Sequence, residues 1–115
     1  MSLILEKQRS LQELRLLVRK CELESEKVVG KKPTALRLKP MRSQWGSCNS
    51  KGIIAINTKL MYLPERLVAY IVHHEVVHLL VHAHNQKFRK LVEELFPDRR
   101  ILDRHLRDLA GILRW

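Results

Sequence analysis

The histidine-rich segment 74–84, His-Glu-Val-Val-His-Leu-Leu-Val-His-Ala-His, contains the residues of this chain that are best suited to catalysis. On a helix, His74 and His78 lie four residues apart, one turn from each other on the same face. Two imidazoles so placed can hold one zinc ion, and Glu75 beside them is placed to act as general base on a metal-bound water. A third histidine would give the three protein ligands and the open fourth position of a catalytic zinc site.

Two later histidines compete for the place of the third ligand. On a straight helix, His82 lies roughly 12 Å from His74, which is too far to share one small ion. His84 lies about 240° around the helix from His78 and points away from the site. We therefore predict that the helix breaks at about Val81–Ala83, so that His84 returns to the metal.

Other polar residues near the motif have less specific interpretations. His73 and His82 are interpreted as core histidines or as residues that support the ligands from outside the metal's own shell. Glu93 or Glu94 is an alternative third ligand, ranked below His84. The motif can also arise by coincidence on an amphipathic helix, but polar groups on so apolar a helix cost roughly 1–3 kcal/mol each unless they have partners.

The helices and strands predicted to position these residues form an α+β fold in one domain, 1–115. The N-terminal helix is predicted from an apolar stripe that ends before Gly30. The stripe comprises Ile4, Leu11, Leu14, Val18, Cys21 and Val28, and Leu5 and Leu17 widen it. Glu22 and Glu26 are expected on the solvent-exposed face of this helix. The predicted units are a long N-terminal helix in 1–30, a small antiparallel sheet of about three strands in 34–58, a buried motif helix in 64–82 and two C-terminal helices in 85–113.

The sheet is predicted from two signals. Residues 35–39 alternate apolar and basic side chains, and Pro40 limits this strand to an edge or an end. Residues 45–48 and 53–57 flank an Asn-Ser-Lys-Gly turn and indicate a hairpin. Trp45, beside a glycine and a serine, is a candidate to line a cleft.

The C-terminal helices are predicted from caps and periodicity. Asn85 is a suitable N-cap for a helix through Phe96, which Pro97 closes. A last helix over 98–113 is expected to turn one side inward, formed by Ile101, Leu102, His105, Leu106, Leu109 and Ile112.

Composition and charge narrow the class of protein. The chain is 45% hydrophobic and 30% charged, and has no apolar run long enough to cross a bilayer. Two cysteines and no secretory signal predict free thiols and a cytoplasmic location. The net charge of +10 lies mostly in residues 1–43 and 84–115. It favours nucleic acid, anionic membrane or acidic protein partners, although a solvated surface explains it as well.

Two motifs together resemble a known family. Trp45-Gly46-Ser47-Cys48, the strand 52–57 and the motif of His74, Glu75, His78 and His84 are similar to the YgjP-like zinc metallopeptidases, WGSC-type relatives of SprT and Spartan. The similarity extends over roughly residues 35–105. The chain departs from the family at Ala83, where Asn is frequent, at Asn85, where Ser is frequent, and at Gln44, where Arg is frequent.

The resemblance implies a zincin-like fold, one Zn²⁺ held by His74, His78 and His84, and Glu75 as the catalytic glutamate. It also implies that strand 53–57 is the edge along which an extended peptide pairs. Ile54 and Asn57 therefore join Trp45 as candidate substrate-binding residues.

The function predicted from these observations is a zinc-dependent peptidase that cleaves protein or peptide substrates, including proteins associated with nucleic acid. The alternative is a non-catalytic, zinc-stabilised binding module that binds nucleic acid. The sequence leaves the oligomeric state open.

Overall fold

The computed structural model of the chain describes residues 6–112, with side chains up to residue 111. The predictions for Ile4, Leu5 and the Ile112 side chain lie outside this part. The predicted α+β fold is confirmed by four helices, three strands and a short 3₁₀ helix. In chain order these are α1 (Leu11–Val29), β1 (Ala35–Lys39), β2 (Gly46–Cys48), β3 (Ile53–Asn57), the 3₁₀ helix (Thr58–Tyr62), α2 (Glu65–His78), α3 (Gln86–Leu95) and α4 (Arg99–Ile112).

The first helix begins at Leu11, later than the hydrophobic stripe predicted. Ser10 and Glu13 form a capping box, in which each side chain accepts a hydrogen bond from the other residue's backbone N–H. Residues 6–9, which precede this cap, are not helical, and Gln8 N donates to Met61 O at 2.8 Å. The helix stops at Gly30, as predicted, with a left-handed φ of 78°.

The inner side of α1 is narrower than predicted. Its buried apolar residues are Leu14, Val18, Cys21 and Val29, whereas Leu11 is exposed and Val28 is half-buried. Glu22 was expected in water, yet it is buried. Its carboxylate accepts a hydrogen bond from Arg19 at 2.9 Å, and this ion pair accounts for the buried charge.

The sheet has the three predicted strands but mixed pairing. Strands β2 and β3 form the predicted antiparallel hairpin, while β1 pairs with β3 in parallel, with Leu36 opposite Ile54. The strand order is β1-β3-β2. The expectation of a wholly antiparallel sheet is wrong because β3 inserts between β1 and β2 and runs in the direction of β1.

Helix α2 is buried along most of its length and packs against α1, β2, β3, α3 and α4. Helix α3 has the predicted Asn85 cap, whose Oδ1 accepts from Phe88 N at 3.0 Å. On α4, Leu102 and Leu106 are buried, but Ile101 is 54% exposed and His105 is exposed, so its predicted inner side was too broad. No helix within residues 6–112 is long and apolar enough to cross a membrane.

Candidate metal centre and active-site cleft

Helix α2 breaks, as the third-ligand hypothesis requires, but at His78 and not at Val81–Ala83. The next turn tightens, with Leu79 N donating to Val76 O and Leu80 N to Val77 O, each at 3.0 Å. Val81 remains buried after the break. The apolar run therefore continues into the core while the backbone leaves the helix, so the apolar pattern does not mark where the helix ends.

The bend brings three imidazoles together. His74, His78 and His84 each offer a ligand nitrogen, and these atoms all lie within 4.8 Å of one another. His78 Nε2 is 3.1 Å from His84 Nε2. Two nitrogens bound to one tetrahedral zinc at about 2.0–2.1 Å would be about 3.3–3.4 Å apart. The donor set and spacing therefore fit a zinc ion.

The orientation of His78 is fixed from outside the cluster. Its Nδ1 lies 3.1 Å from Val81 O, to which a protonated Nδ1 donates. This tautomer leaves the Nε2 lone pair directed to the shared site. Burial and then the charge of His74 lower the pKa of His78, which favours the neutral form that a metal needs.

Phe88 forms a common wall for the three imidazoles. Its ring centroid lies 4.9 Å from that of His74, 4.5 Å from that of His78 and 4.8 Å from that of His84. It occupies the first turn of α3, and its N–H is held by the Asn85 cap. The motif spacing gave no role to this residue.

Glu75 lies beside the cluster and is only 6% exposed. One of its carboxylate oxygens, Oε2, is 3.4 Å from His74 Nδ1. A Cβ on Gly46 would lie 3.1 Å from Glu75 Cγ and 3.2 Å from Ala55 O, so the glycine leaves the space that the glutamate fills. The glycine of the Trp-Gly-Ser-Cys motif thus has a local physical explanation.

A cleft of about 510 Å³ opens in front of Glu75 and His74. Its walls come from the segment leading into β2, from α2 and from α4, and include Trp45, Gly46, Tyr70, Asp103, Leu106 and Arg107. Trp45 therefore lies where the sequence suggested, at a cleft.

Tyr70 and Asp103 connect two walls of the cleft. The Tyr70 hydroxyl donates to Asp103 Oδ1 at 2.5 Å, which ties α2 to α4. Burial, and then this hydrogen bond, raise the pKa of the Tyr70 phenol well above its usual range, so it remains a donor at neutral pH. Neither residue was singled out from the sequence, since their pairing depends on how α4 packs.

Ile54 and Asn57 do not lie at an exposed edge, so their predicted substrate contacts are wrong. Both are fully buried on β3, which has a neighbouring strand on each side. Asn57 has a different role: its Nδ2 donates to Met41 O at 3.1 Å and to Gln44 O at 2.8 Å. It thereby fastens the segment that leads into β2, the edge strand beside Glu75.

His73 and His82 take different places. His73 is fully buried, with Nδ1 3.0 Å from Ser25 Oγ and Nε2 2.9 Å from Leu91 O. Burial lowers its pKa, and it is a core histidine with satisfied ring nitrogens. His82 is exposed and does not join the metal-ligating cluster in the described part of the chain.

The carboxylate alternatives for the third ligand are not supported. Glu93 accepts a hydrogen bond from Arg99 Nε at 2.9 Å, and Glu94 is exposed. Neither belongs to the cluster found in residues 6–112.

Comparison with protein families assigns the chain. The model of the YgjP-like, metallopeptidase domain family matches residues 6–109, nearly the entire described region. The chain belongs to the YgjP-like family. This membership supports a metallopeptidase function, and with it a bound metal ion and a protein or peptide substrate.

Solved structures resemble this YgjP-like chain in fold. The metallopeptidase zymogen abylysin of Pyrococcus abyssi has 22% identity and a TM-score of 0.70, with 84% of this chain and 95% of that chain covered. The zymogen jannalysin of Methanocaldococcus jannaschii has 18% identity and a TM-score of 0.64, with 86% and 96% covered. These likenesses confirm the predicted zincin-like fold. No curated protein matches the sequence.

Proposed function

We propose that this YgjP-like chain is a zinc-dependent peptidase in which His74, His78 and His84 hold one zinc ion. Glu75 is the proposed general base. The observation that carries this proposal is the convergence of three imidazole nitrogens, within 4.8 Å of one another, beside a buried carboxylate at a cleft.

The chemistry follows from the positions of these side chains. When bound, zinc would lower the pKa of a water to about 7 and polarise the substrate carbonyl. The Glu75 carboxylate accepts a proton from the attacking water and delivers it to the leaving amine. Gly46 on one side and the neighbouring His74 on the other restrict where this carboxylate can move.

We propose that the substrate lies extended along β2. This strand is an edge of the sheet, unlike β3, and Gly46 within it adjoins Glu75. An extended peptide can pair with such an edge through main-chain hydrogen bonds. Trp45 then contacts substrate side chains from the wall of the cleft.

The alternative is a non-catalytic module in which zinc only stabilises the fold. A structural zinc site uses four protein ligands, whereas a catalytic site uses three. The cluster in the described residues has three members, which favours the peptidase.

We extend the proposal to substrates associated with nucleic acid in the cytoplasm. The net charge of +10 supports attraction to a polyanion, and Cys21 and Cys48 are free thiols, as expected in a reducing compartment. Cleavage of a DNA-bound protein faster than the same protein alone, with the difference lost at high salt, would support this extension.

The substitution Glu75→Gln tests the central proposal. We expect zinc content equal to wild type and cleavage of an unfolded protein slowed by at least about 100-fold, because the general base is lost. Glu94→Gln is the matched control, since Glu94 is exposed and lies outside the cluster. Full activity of the Glu75→Gln protein would refute the mechanism.

A further inference from the structure

A second, polar pocket of about 320 Å³ lies where three connecting segments meet. The segments are the α1–β1 connector, the β2–β3 turn and the loop after α2. The residues that line this lysine pocket are Lys31, Lys32, Thr34, Asn49, Ser50, Lys51, Gly52, Leu79 and His82.

The lining of the lysine pocket carries positive charge and no carboxylate, and the charge of Glu26 acts on Lys32 from outside the lining. Three of its residues are Lys31, Lys32 and Lys51, and no carboxylate lines it. Within residues 6–112, none of these three ammonium groups takes part in an ion pair. The active-site cleft differs, because it includes the carboxylates of Glu75 and Asp103.

The walls that carry two of these lysines are fastened together. Thr34 N donates to Gly52 O at 2.8 Å, and Thr34 Oγ1 donates to Lys51 O at 2.7 Å. Asn49 Oδ1 accepts from Lys51 N at 2.9 Å and from Ile53 N at 3.0 Å. These bonds fix the backbone of Lys51, Gly52 and Ile53, whereas the lysine ammonium groups take no part in them.

The close approach of the two walls depends on Gly52. A Cβ there would lie 2.9 Å from Thr34 Oγ1, and the residue has a φ of 77°. The pocket therefore has a backbone frame that holds the α1–β1 connector against the β2–β3 turn.

We propose that the lysine pocket binds a phosphate-type anion, either free or within a nucleic-acid backbone. A lysine ammonium is a compact charge with three donors, which suits phosphate oxygens. An anion would also relieve the mutual repulsion of Lys31, Lys32 and Lys51. His82 adds a ring N–H donor even when neutral. Because Leu79 and His82 belong to the loop between His78 and His84, the bound anion rests against the segment that carries the third histidine.

Calorimetric titration with inorganic phosphate and with pyrophosphate tests this site. The double variant Lys32→Ala/Lys51→Ala is expected to bind at least tenfold more weakly than wild type, because it loses one cation from each of two walls. The control is Lys87→Ala/Lys90→Ala, which removes the same charge from exposed positions of α3 and should bind like wild type. Unfolding midpoints without anion verify that both variants fold.

A second arm separates the two sources of phosphate. A short single-stranded DNA is titrated at several salt concentrations, with and without pyrophosphate. The pocket binds the nucleic-acid backbone if pyrophosphate displaces the DNA and only the Lys32→Ala/Lys51→Ala variant binds DNA more weakly. The pocket binds a free anion if phosphate or pyrophosphate binds and DNA does not. Equal weakening by both double variants, or no binding of any probe, would overturn the proposal. These measurements do not depend on peptidase activity, so the two proposals can fail separately.

Discussion

Glu75 and Gly46 act as a pair, since the side chain of one fills the space left by the other. A methyl group on Gly46 would meet both the Glu75 side chain and the backbone oxygen of Ala55. The oxygen belongs to β3 and cannot easily move, so the glutamate must give way. The geometry of Glu75, the proposed general base, is therefore sensitive to one hydrogen-to-methyl change on the neighbouring strand.

We predict that Gly46→Ala lowers kcat by at least about tenfold while zinc content remains that of wild type, because small misplacements of a catalytic group cost rate. Steady-state kinetics and metal analysis check this. Gly111→Ala is the control, since nothing lies within 4 Å of a Cβ at Gly111. A kcat equal to wild type in the Gly46→Ala protein would show that the cleft accommodates the methyl group without displacing Glu75, which would contradict the prediction.

Phe88 holds the three imidazoles by contact with each ring. We predict that Phe88→Leu weakens zinc binding by about 10–100-fold, the usual range for residues that support ligands. Competition with a chelator measures the affinity. Phe96→Leu is the matched control, because Phe96 is similarly buried and, within residues 6–112, its ring contacts the rings of Tyr70 and His73 but none of the three clustered imidazoles. Equal loss of affinity in both variants would mean that general destabilisation is responsible.

Helix α3 positions the third histidine through its first residues. His84 immediately precedes the Asn85 cap, and Arg89 Nη1 on α3 donates to His84 O at 3.1 Å. If the first turn of α3 frays, His84 loses its anchor. The proposed ligand set therefore depends on a helix that contributes no proposed ligand of its own.

We predict that Asn85→Ala costs about 1 kcal/mol of unfolding free energy and also weakens zinc binding severalfold. Ser10→Ala removes the cap of α1 and should cost a similar free energy, yet leave zinc affinity unchanged, since α1 provides no ligand. Chemical denaturation and chelator competition on both variants separate the two effects. The argument fails if Ser10→Ala weakens zinc as much as Asn85→Ala.

Secondary structure that depends on residues close together in the chain could be predicted from the sequence. The hairpin follows from the turn residues at 49–52, and α3 follows from Asn85 and its apolar period. The need for a break after His78 followed from helix geometry alone, because His84 cannot otherwise face the site. The pair Ser10 and Glu13 has the spacing of a capping box, a local sequence signal that marks the start of α1 at Leu11 more closely than the hydrophobic stripe does.

Features that depend on distant packing could not be predicted in this way. The parallel pairing of β1 with β3 reflects where β3 inserts, and hydrophobic alternation is the same for either direction. For the same reason Ile54 and Asn57 could not be recognised as central rather than edge residues. Tyr70 and Asp103 are 33 positions apart and meet only because α4 packs on α2.

The assembled domain is organised around α2, which contacts α1, α3, α4 and strands β2 and β3. His73 fastens this helix to Ser25 on α1 and to Leu91 on α3. Arg66 pairs with Asp98 at 2.6 Å and lies over the ring of Phe96. His74, Glu75 and His78 thus sit on the helix with the most supports, so that core stability and the geometry of the proposed site are coupled.

The thiol of Cys21 is expected to lower the free energy of unfolding as the pH becomes alkaline. It is buried on α1, and burial, followed by the charges of Glu24 and Glu65, raises the pKa of its thiol to about 11. In an unfolded chain a cysteine thiol has a pKa of about 8.5. Above that pH the unfolded state binds fewer protons than the folded state, so the free energy of unfolding falls until pH reaches about 11.

We predict that metal-free Cys21→Ala protein loses less unfolding free energy than metal-free wild type between pH 8.5 and 10.5, although it is less stable at pH 7. Cys48→Ala is the control: Cys48 is only half-buried, and its pKa is raised less. Wild type and Cys21→Ala share their other ionisable groups, so only the difference between their slopes reports the Cys21 thiol. Parallel pH profiles for wild type and Cys21→Ala would show that this thiol has no part in the alkaline transition, and that the α1–α2 interface admits solvent around it.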